Sequence, residues 1–338
     1  MKGTTEWLPE EPRVASMLEA AYRVDLDEQA WSEGLLRAFQ PSIPGDLVLA
    51  GCRFSCSGEP NAELKLSAIS STHEAVRGWL AAPRSPEENW LYRRLFLGRT
   101  WARTASELIG EEMPRLLEYF ASNGIHFRDS WAVVGSNISR EGYFLSVAIP
   151  RRIAPFPPSL LRHWDRIAAH LSAAFCLREN MARGLAPGEG VLAPDGKLLH
   201  AEGPARLPDA RSALRFAVRS IDAARSRHRH DPEASLQAWR AVVSGRWSLV
   251  EQHERDGKRF LLARVNELQA PGSKALSSRE RQVLGLVAQG SSNKEIAYRL
   301  GIGEPSVAGY LRRGRAKIGL KNRADLLRWW EQQVARRE

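Results

Sequence analysis

The chain has 338 residues, 43% of them hydrophobic, and a formal net charge of +10. That length predicts two or three domains with real cores, and three cysteines make no disulfide framework. No apolar run reaches the roughly 18 residues a membrane span needs, and the start MKGTTEWLPEEPRV lacks a basic-then-apolar export signal, so a cytoplasmic protein is expected.

In chain order, residues 1–44 read as helical and polar. Trp31, Leu35 and Phe39 share one face of AWSEGLLRAF (Ala30 to Phe39), and Pro41 and Pro44 end that helix. The period then changes from helical to alternating. Val48, Ala50, Cys52, Phe54 and Cys56 alternate across Asp46 to Cys56, and Ala62, Leu64, Leu66 and Ala68 do so more cleanly. Tyr143, Leu145, Val147 and Ile149 make a third set, beside the short apolar run Trp131 to Val134. These predict half-buried strands of an antiparallel sheet. Residues 86–123 between them read as helices. A long helix is predicted from Ser159 to Arg183, with Leu160, Trp164, Ile167, Leu171 and Phe175 on one stripe. That stripe suits either the chain's own core or pairing with a second copy.

The stretch DSWAVVGSNISREGYFLSVAIPRR followed by PSLLRHWDRIAAHLSAAFCLREN resembles the closing strands and last helix of GAF-like sensor domains, and the resemblance covers about residues 20–183. Residues 184–192 (with GLAPGEG) read as a linker. VLAPDGKLLHA and SLVEQHERDGKRFLLARV each hold an Asp-Gly pair, Asp195-Gly196 and Asp256-Gly257, which predicts two-residue type I′ hairpins. Helical patterns occupy about 208–243. Hairpin, helices, hairpin resembles a reduced PAS-like domain. Ala270-Pro271-Gly272-Ser273 reads as a second linker. The expected organisation is a GAF-like sensory domain over 1–183, a PAS-like domain over 187–268, a linker over 269–274 and a third domain over 275–338. The fold class is multidomain, with two α+β antiparallel-sheet domains before an all-α four-helix module.

The last module carries most of the charge. From Leu276 to Glu338 there are 13 Lys and Arg against 6 Asp and Glu, so +7 of the net +10 lies there. A basic tail on a nearly neutral body points to a polyanion at one end. LSSRERQVLGLVAQGSSNKEIAYRLGIGEPSVAGYLRRGRAKIGLKNRADLL holds four short helical patterns. Ser277 with Glu280 and Ser292 with Glu295 read as capping boxes, and Asn322 with Asp325 repeats the idea. Gly290, Gly301 and Gly319 sit where a left-handed residue ends a helix. Val283, Leu284, Val287, Ile296, Ala297, Leu300, Ile302, Val307, Leu311, Ile318 and Leu327 give a small core.

The module resembles the LuxR-type (GerE-like) helix-turn-helix along its whole length. The resemblance implies that the helix from about Glu304 to Lys317 enters the major groove of double-stranded DNA, reading bases with Ala308, Gly309 and Arg312. It implies flanking roles for Ser306 and Tyr310 and phosphate contacts from Lys294, Arg313, Arg315 and Lys317. Ser277, Asn293 and Val307 complete the expected DNA-facing set. One departure matters: where the family has Thr-Val-Lys-x-His, this chain has Ser306-Val307-Ala308-Gly309-Tyr310. The basic reader is lost, and Gly309 and Gly314 each cost roughly 1 kcal/mol against alanine within a helix. Arg312 becomes the best candidate for a bidentate guanine contact.

Other features point to packing more than chemistry. Cys52 and Cys56 share an apolar strand face, where cysteine acts as a small hydrophobe, and metal or redox sensing is the alternative. His228 and His230 lie in a polar run. Trp79, Trp90, Trp101 and Trp131 suit a core or an aromatic-lined ligand pocket, and Asn89-Trp90-Leu91-Tyr92 is only a faint echo of a lactone-sensor pattern. No phosphate loop, nucleophile elbow or HExxH motif occurs, so no enzyme, cofactor or metal is expected. The expected function is a DNA-binding transcriptional regulator, a homodimer, whose sensory region answers to a small ligand or partner protein. The alternative is an interaction protein whose helix-turn-helix no longer reads DNA.

Overall fold

The computed structural model describes residues 9–44, 47–55, 63–69, 101–136, 141–151, 153–154, 156–182, 188–206, 208–244, 247–253, 259–265, 277–288, 291–318, 320 and 325–326. Its contacts form two compact units, Met1–Cys176 with Arg227–Leu236, and Leu177–Ser226 with Gln237–Glu338.

The first unit opens with α1 (Val14–Ala21) and α2 (Glu28–Phe39). Asp27 caps α2 by accepting the Ala30 N–H at 2.8 Å. The expected stripe of Trp31, Leu35 and Phe39 is buried, and the Trp31 indole N–H donates to the Ala21 carbonyl at 2.9 Å, tying α2 to α1. Beyond them lies an antiparallel sheet of β1 (Leu49–Ser55), β2 (Glu63–Ile69), β3 (Trp101–Thr104), β4 (Asp129–Ser136) and β5 (Glu141–Ile149), in the order β2-β1-β5-β4-β3. The helical reading of 86–123 is corrected at 101–104, which pair with Trp131 to Val134 as a strand. Only then come α3 (Ala105–Ile109) and α4 (Met113–Ser122). Thr104 ends the strand and starts α3 through a capping box with Glu107.

The long helix α5 (Pro158–Ala182) crosses one face of this sheet. Gly135 permits the crossing: a Cβ there would stand 2.5 Å from the Ser172 backbone nitrogen and 2.8 Å from the Leu171 carbonyl carbon. The Ser172 hydroxyl donates to the Ser136 carbonyl at 2.6 Å, and the Arg53 guanidinium lies 5.5 Å from the Phe175 ring centre. Trp164 packs between Trp131 (4.7 Å) and Phe39 (5.9 Å). Fully burying side chains of this kind stabilises by about 1.5–3 kcal/mol each. All five residues of the α5 stripe are buried in this core, so the stripe packs within the chain and is not a free pairing seam.

The half-buried strands also need correction. Cys52, Phe54, Val134 and Phe144 on the opposite face are buried as well, and the Phe54 and Phe144 rings lie 6.2 Å apart. The opposite face of β5 carries small residues, Gly142, Ser146 and Ala148, which look polar or neutral in sequence although the strand lies mid-sheet. Cys52 is buried. Cys56, Trp79, Trp90 and the Asn89–Tyr92 stretch lie outside the described residues.

The second unit holds β6 (Gly188–Leu192), β7 (Leu198–Ala201), β8 (Trp247–His253) and β9 (Arg259–Val265), in the order β7-β6-β9-β8, with α6 (Pro208–Arg225) and part of α7 (Pro232–Ser244). The linker reading of 184–192 is therefore corrected from Gly188, because Gly188 and Gly190 pair with Arg264 and Ala263. The first hairpin turn is corrected too. Gly196 donates its N–H to the Ala193 carbonyl at 2.9 Å and has φ 82°. The turn thus runs Ala193-Pro194-Asp195-Gly196, with Pro194 at the second position, where its fixed negative φ suits a type I turn and excludes type I′ from that register. Asp256-Gly257 lies outside the described residues. His228 and His230 lie in the turn between α6 and α7.

Candidate nucleic-acid interface

The terminal module is built from α8 (Ser278–Ala288), α9 (Asn293–Leu300) and α10 (Glu304–Lys317). Both expected capping boxes are formed. Ser277 donates its N–H to Glu280 Oε2 at 2.8 Å while its Oγ accepts the Glu280 N–H at 3.3 Å. Ser292 donates to Glu295 Oε2 at 2.6 Å and accepts back at 3.2 Å. Gly301 ends α9 in the left-handed region with φ 65°, a conformation that favours glycine. It turns the chain toward Gly303, the N-cap of α10, where Pro305 occupies the first turn. Gly290, Gly319 and Asn322 lie outside the described residues.

Val283, Leu284, Leu286, Val287, Ile296, Ala297, Leu300, Val307 and Leu311 form the core, joined by Leu326. Val307 is therefore buried, and it holds α10 against the other helices. Gly314 has a packing reason: a Cβ there would stand 2.9 Å from Leu284 Cδ1 and 3.5 Å from Glu280 Cβ. Gly309 has no such crowding, since a Cβ would meet only the end of the Arg313 side chain at 3.4 Å.

The opposite face of α10 looks outward. Ser306, Ala308 and Arg312 are exposed, with Gly309 and Tyr310 half-buried beside them. Ala308 and Arg312 are four residues apart, so they share one face, with Gly309 next to it. Arg312 has no hydrogen-bond or ion-pair partner among the described residues. Arg313 differs: its Nε lies 3.8 Å from Glu280 Oε1 and its guanidinium stacks 4.8 Å from the Tyr310 ring centre. Arg315 is half-buried, and its Nε has no hydrogen-bond partner among the described residues. Lys317 is the last residue of α10. On α9, Lys294 is exposed in the first turn and Asn293 is half-buried, its Oδ1 without a hydrogen-bond partner among the described residues.

The Glu280–Arg313–Tyr310 chain of contacts was not foreseen from sequence. Tyr310 and Arg313 are three apart on a helix, which is a legible signal for stacking. The link from Glu280, already committed to a capping box, was not. A further contact reaches α9 from α7, where Arg240 lies 5.9 Å from the Tyr298 ring centre.

Among the described residues no group of three or more His, Cys, Asp or Glu is placed to hold a metal ion, and no helix is long and apolar enough to cross a membrane.

Residues 274–330 match the family described as bacterial regulatory proteins, luxR family. The transcriptional regulatory protein MctR of Rhizobium johnstonii is 39% identical over 67 residues, covering 20% of this chain and 31% of MctR. The chain thus matches about a third of that relative's length. The crystal structure of Escherichia coli SdiA is similar at a TM-score of 0.32 and 14% identity, covering 94% of this chain and 96% of SdiA. SdiA in complex with octanoyl-rac-glycerol gives a TM-score of 0.25 at 14% identity, covering 92% of this chain and 86% of that one. The family matched by residues 274–330 is one of transcriptional regulators, not of enzymes.

Proposed function

We propose that this chain, whose residues 274–330 form a luxR-family helix-turn-helix domain, is a cytoplasmic transcriptional regulator that places α10 in the major groove of double-stranded DNA. The observation that carries the reading is the outward face of α10: Ala308, Gly309 and Arg312 lie together, small except for one arginine with no partner among the described residues. Small residues let the helix approach base edges closely, and a lone guanidinium supplies a bidentate donor for guanine. Lys294 in the first turn of α9 meets phosphate beside free backbone N–H groups, Arg315 and Lys317 add charge, and Ser306 and Tyr310 flank the groove.

The rest of the proposal concerns control. Residues 1–183 form a GAF-like sensory domain and 187–268 a PAS-like one, joined through 269–274 to the DNA-binding domain at 275–338. The five-stranded sheet with its long exit helix supports the first assignment, and the sheet flanked by two helices supports the second. A small ligand or partner protein acts on this sensory region, and a homodimer occupies paired half-sites, pairing through surfaces other than the buried α5 stripe. The contact between Arg240 and Tyr298 gives the region before the linker a handle on α9.

The loss of a basic reader at Ala308 favours a second reading, in which the module binds a protein and no longer reads DNA. Binding of the full chain to duplex DNA across a salt series separates the two. The first reading expects log affinity to fall linearly with log salt, with a slope reporting several released counterions. An interaction that is absent at low salt, or unchanged by salt, leaves the second reading standing.

A further inference from the structure

Helix α6 carries a surface outside the terminal helix-turn-helix. One face of it packs inward through Leu214, Val218, Ile221 and Ala224, which are 0–2% exposed. Its other face carries Arg211, Arg215 and Arg219, four residues apart and all exposed, so they form one stripe. None of the three has a hydrogen-bond or ion-pair partner among the described residues. Beside the stripe stands Phe216, 68% exposed. Its neighbours three and four positions away are Ser212, Ala213, Arg219 and Ser220, so three of the four side chains placed beside the ring are too short to shield it. The β6–β7 turn adds a fourth cation. Gly196 sits against Arg215, with a Cβ there 3.4 Å from the Arg215 carbonyl oxygen, and the next residue, Lys197, is exposed.

A row of arginines alone is a solvated helix face. An aromatic ring of this exposure on the same side is not explained by solvation, because it leaves apolar surface in water at a cost that folding does not recover. Arginine and aromatic residues are the types enriched where protein interfaces concentrate their binding energy. Among the described residues, nearby acidic groups do not neutralise the stripe. Asp195 accepts the Lys197 backbone N–H at 2.7 Å, Glu202 lies 3.1 Å from His200, and Asp222 is half-buried in the last turns of α6. A second copy of the chain is a poor occupant, since it would bring the same cations against these. Duplex DNA satisfies the arginines but offers no apolar pocket for Phe216.

We propose that this face of α6 is a docking surface for an acidic polypeptide segment carrying apolar side chains, with Phe216 inserted among them and Arg215 and Arg219 paired with flanking carboxylates. None of these residues belongs to α10, the helix assigned to DNA.

The test uses the full chain and a labelled synthetic amphipathic helix, leucine on one face and glutamate on the other, followed by fluorescence anisotropy with duplex DNA present in excess to occupy the terminal module. Controls are the same peptide with lysine for glutamate, and one with serine for leucine. The glutamate–leucine helix is expected to bind while both controls do not, and Phe216→Ser and the double variant Arg215→Glu/Arg219→Glu are each expected to weaken it about tenfold or more. Phe216→Leu should keep most of the affinity. All substitutions are at exposed positions, and unchanged thermal unfolding verifies that the fold survives. Wild-type binding by either variant, or equal binding of the leucine-free peptide, overturns the proposal. So does a matching loss of duplex DNA affinity in the variants, which would assign the surface to nucleic acid.

Discussion

The two ends of this protein use the same kinds of residue differently. In the first unit the large aromatics are inward: Trp31, Trp131, Trp164 and Tyr143 are at most 1% exposed, and a glycine lets a helix backbone pass directly over a strand. In the terminal module the core is aliphatic, and the outward face of α10 is left to small residues and one unpaired arginine. The contrast teaches where each region's specificity lies. The first region is fixed by dense, long-range packing that tolerates little change. The second is fixed locally, helix by helix, through caps and a turn, which leaves its outer face open to vary.

The sharpest way to break that contrast is at Trp164. Trp164→Ala removes a fully buried ring held between Trp131 and Phe39, and should cost about 3–5 kcal/mol in urea unfolding of the full chain. A loss near 1 kcal/mol would mean the aromatic core is loosely packed and the comparison fails.

In the terminal module the glycines discriminate more finely. Gly314→Ala puts a methyl 2.9 Å from Leu284 Cδ1, and an overpacking cost of about 1–3 kcal/mol should outweigh the helix-propensity gain of about 1 kcal/mol. Gly309→Ala meets only a flexible side-chain end and should stabilise by up to about 1 kcal/mol. Thermal unfolding of the two variants should therefore move in opposite directions, and parallel shifts would refute the packing assignment of Gly314. Ser292→Ala removes one side of a capping box, with an expected loss of about 1 kcal/mol. Amide exchange at the start of α9 is the readout, faster in the variant if the cap holds that turn.

These differences also explain what could be read from sequence. Ser277 with Glu280, Ser292 with Glu295, Gly301 and the full extent of α10 were legible because each signal spans only a few residues. The α5 stripe was legible as a stripe, but whether it faced its own core depended on Trp131 and Phe39, far away in the chain. Strand β3 was hidden because four residues are too few for alternation to show beside adjoining helical patterns. The hairpin at Asp195-Gly196 was placed correctly, yet Pro194 moved its turn by one residue. On the candidate site, Ala308, Gly309 and Arg312 were named through the resemblance to the LuxR-type helix-turn-helix, and their placement beside one another agrees with helical spacing. The engagement of Arg313 by Glu280 needed α8 and α10 brought together, which no local pattern encodes.

The smallest expected effect concerns the contact cluster around α5 in the first unit. Arg166 donates to both oxygens of Glu233 at 2.6 Å, and His163 bridges Glu233 and Glu11. The hydrogen bond from Arg166 holds the Glu233 carboxyl below its ordinary value; burial opposes it, and the charge of Arg166 and the hydrogen bond and charge of His163 add to the lowering. A lowered folded value means the contribution is complete above the unfolded glutamate range of about 4.3 and is lost as pH falls through the lowered value. Because Glu233 is more than half exposed, solvent screening keeps the contribution small. Glu233→Gln should therefore flatten the acid limb of stability only slightly, measured as unfolding midpoint against pH, and leave the neutral range untouched. A large change in the neutral range would contradict the assignment of this effect to Glu233.

The central claim is that α10 reads DNA through Arg312. The most direct measurement selects the preferred duplex for the full chain from a random pool, then compares wild type, Arg312→Ala and Arg315→Ala on that duplex and on unselected DNA at one salt concentration. Arg312→Ala should lose about 1–3 kcal/mol on the selected site and little on unselected DNA, while Arg315→Ala weakens both alike. Failure to enrich any sequence, or equal losses by Arg312→Ala on both duplexes, would contradict the account.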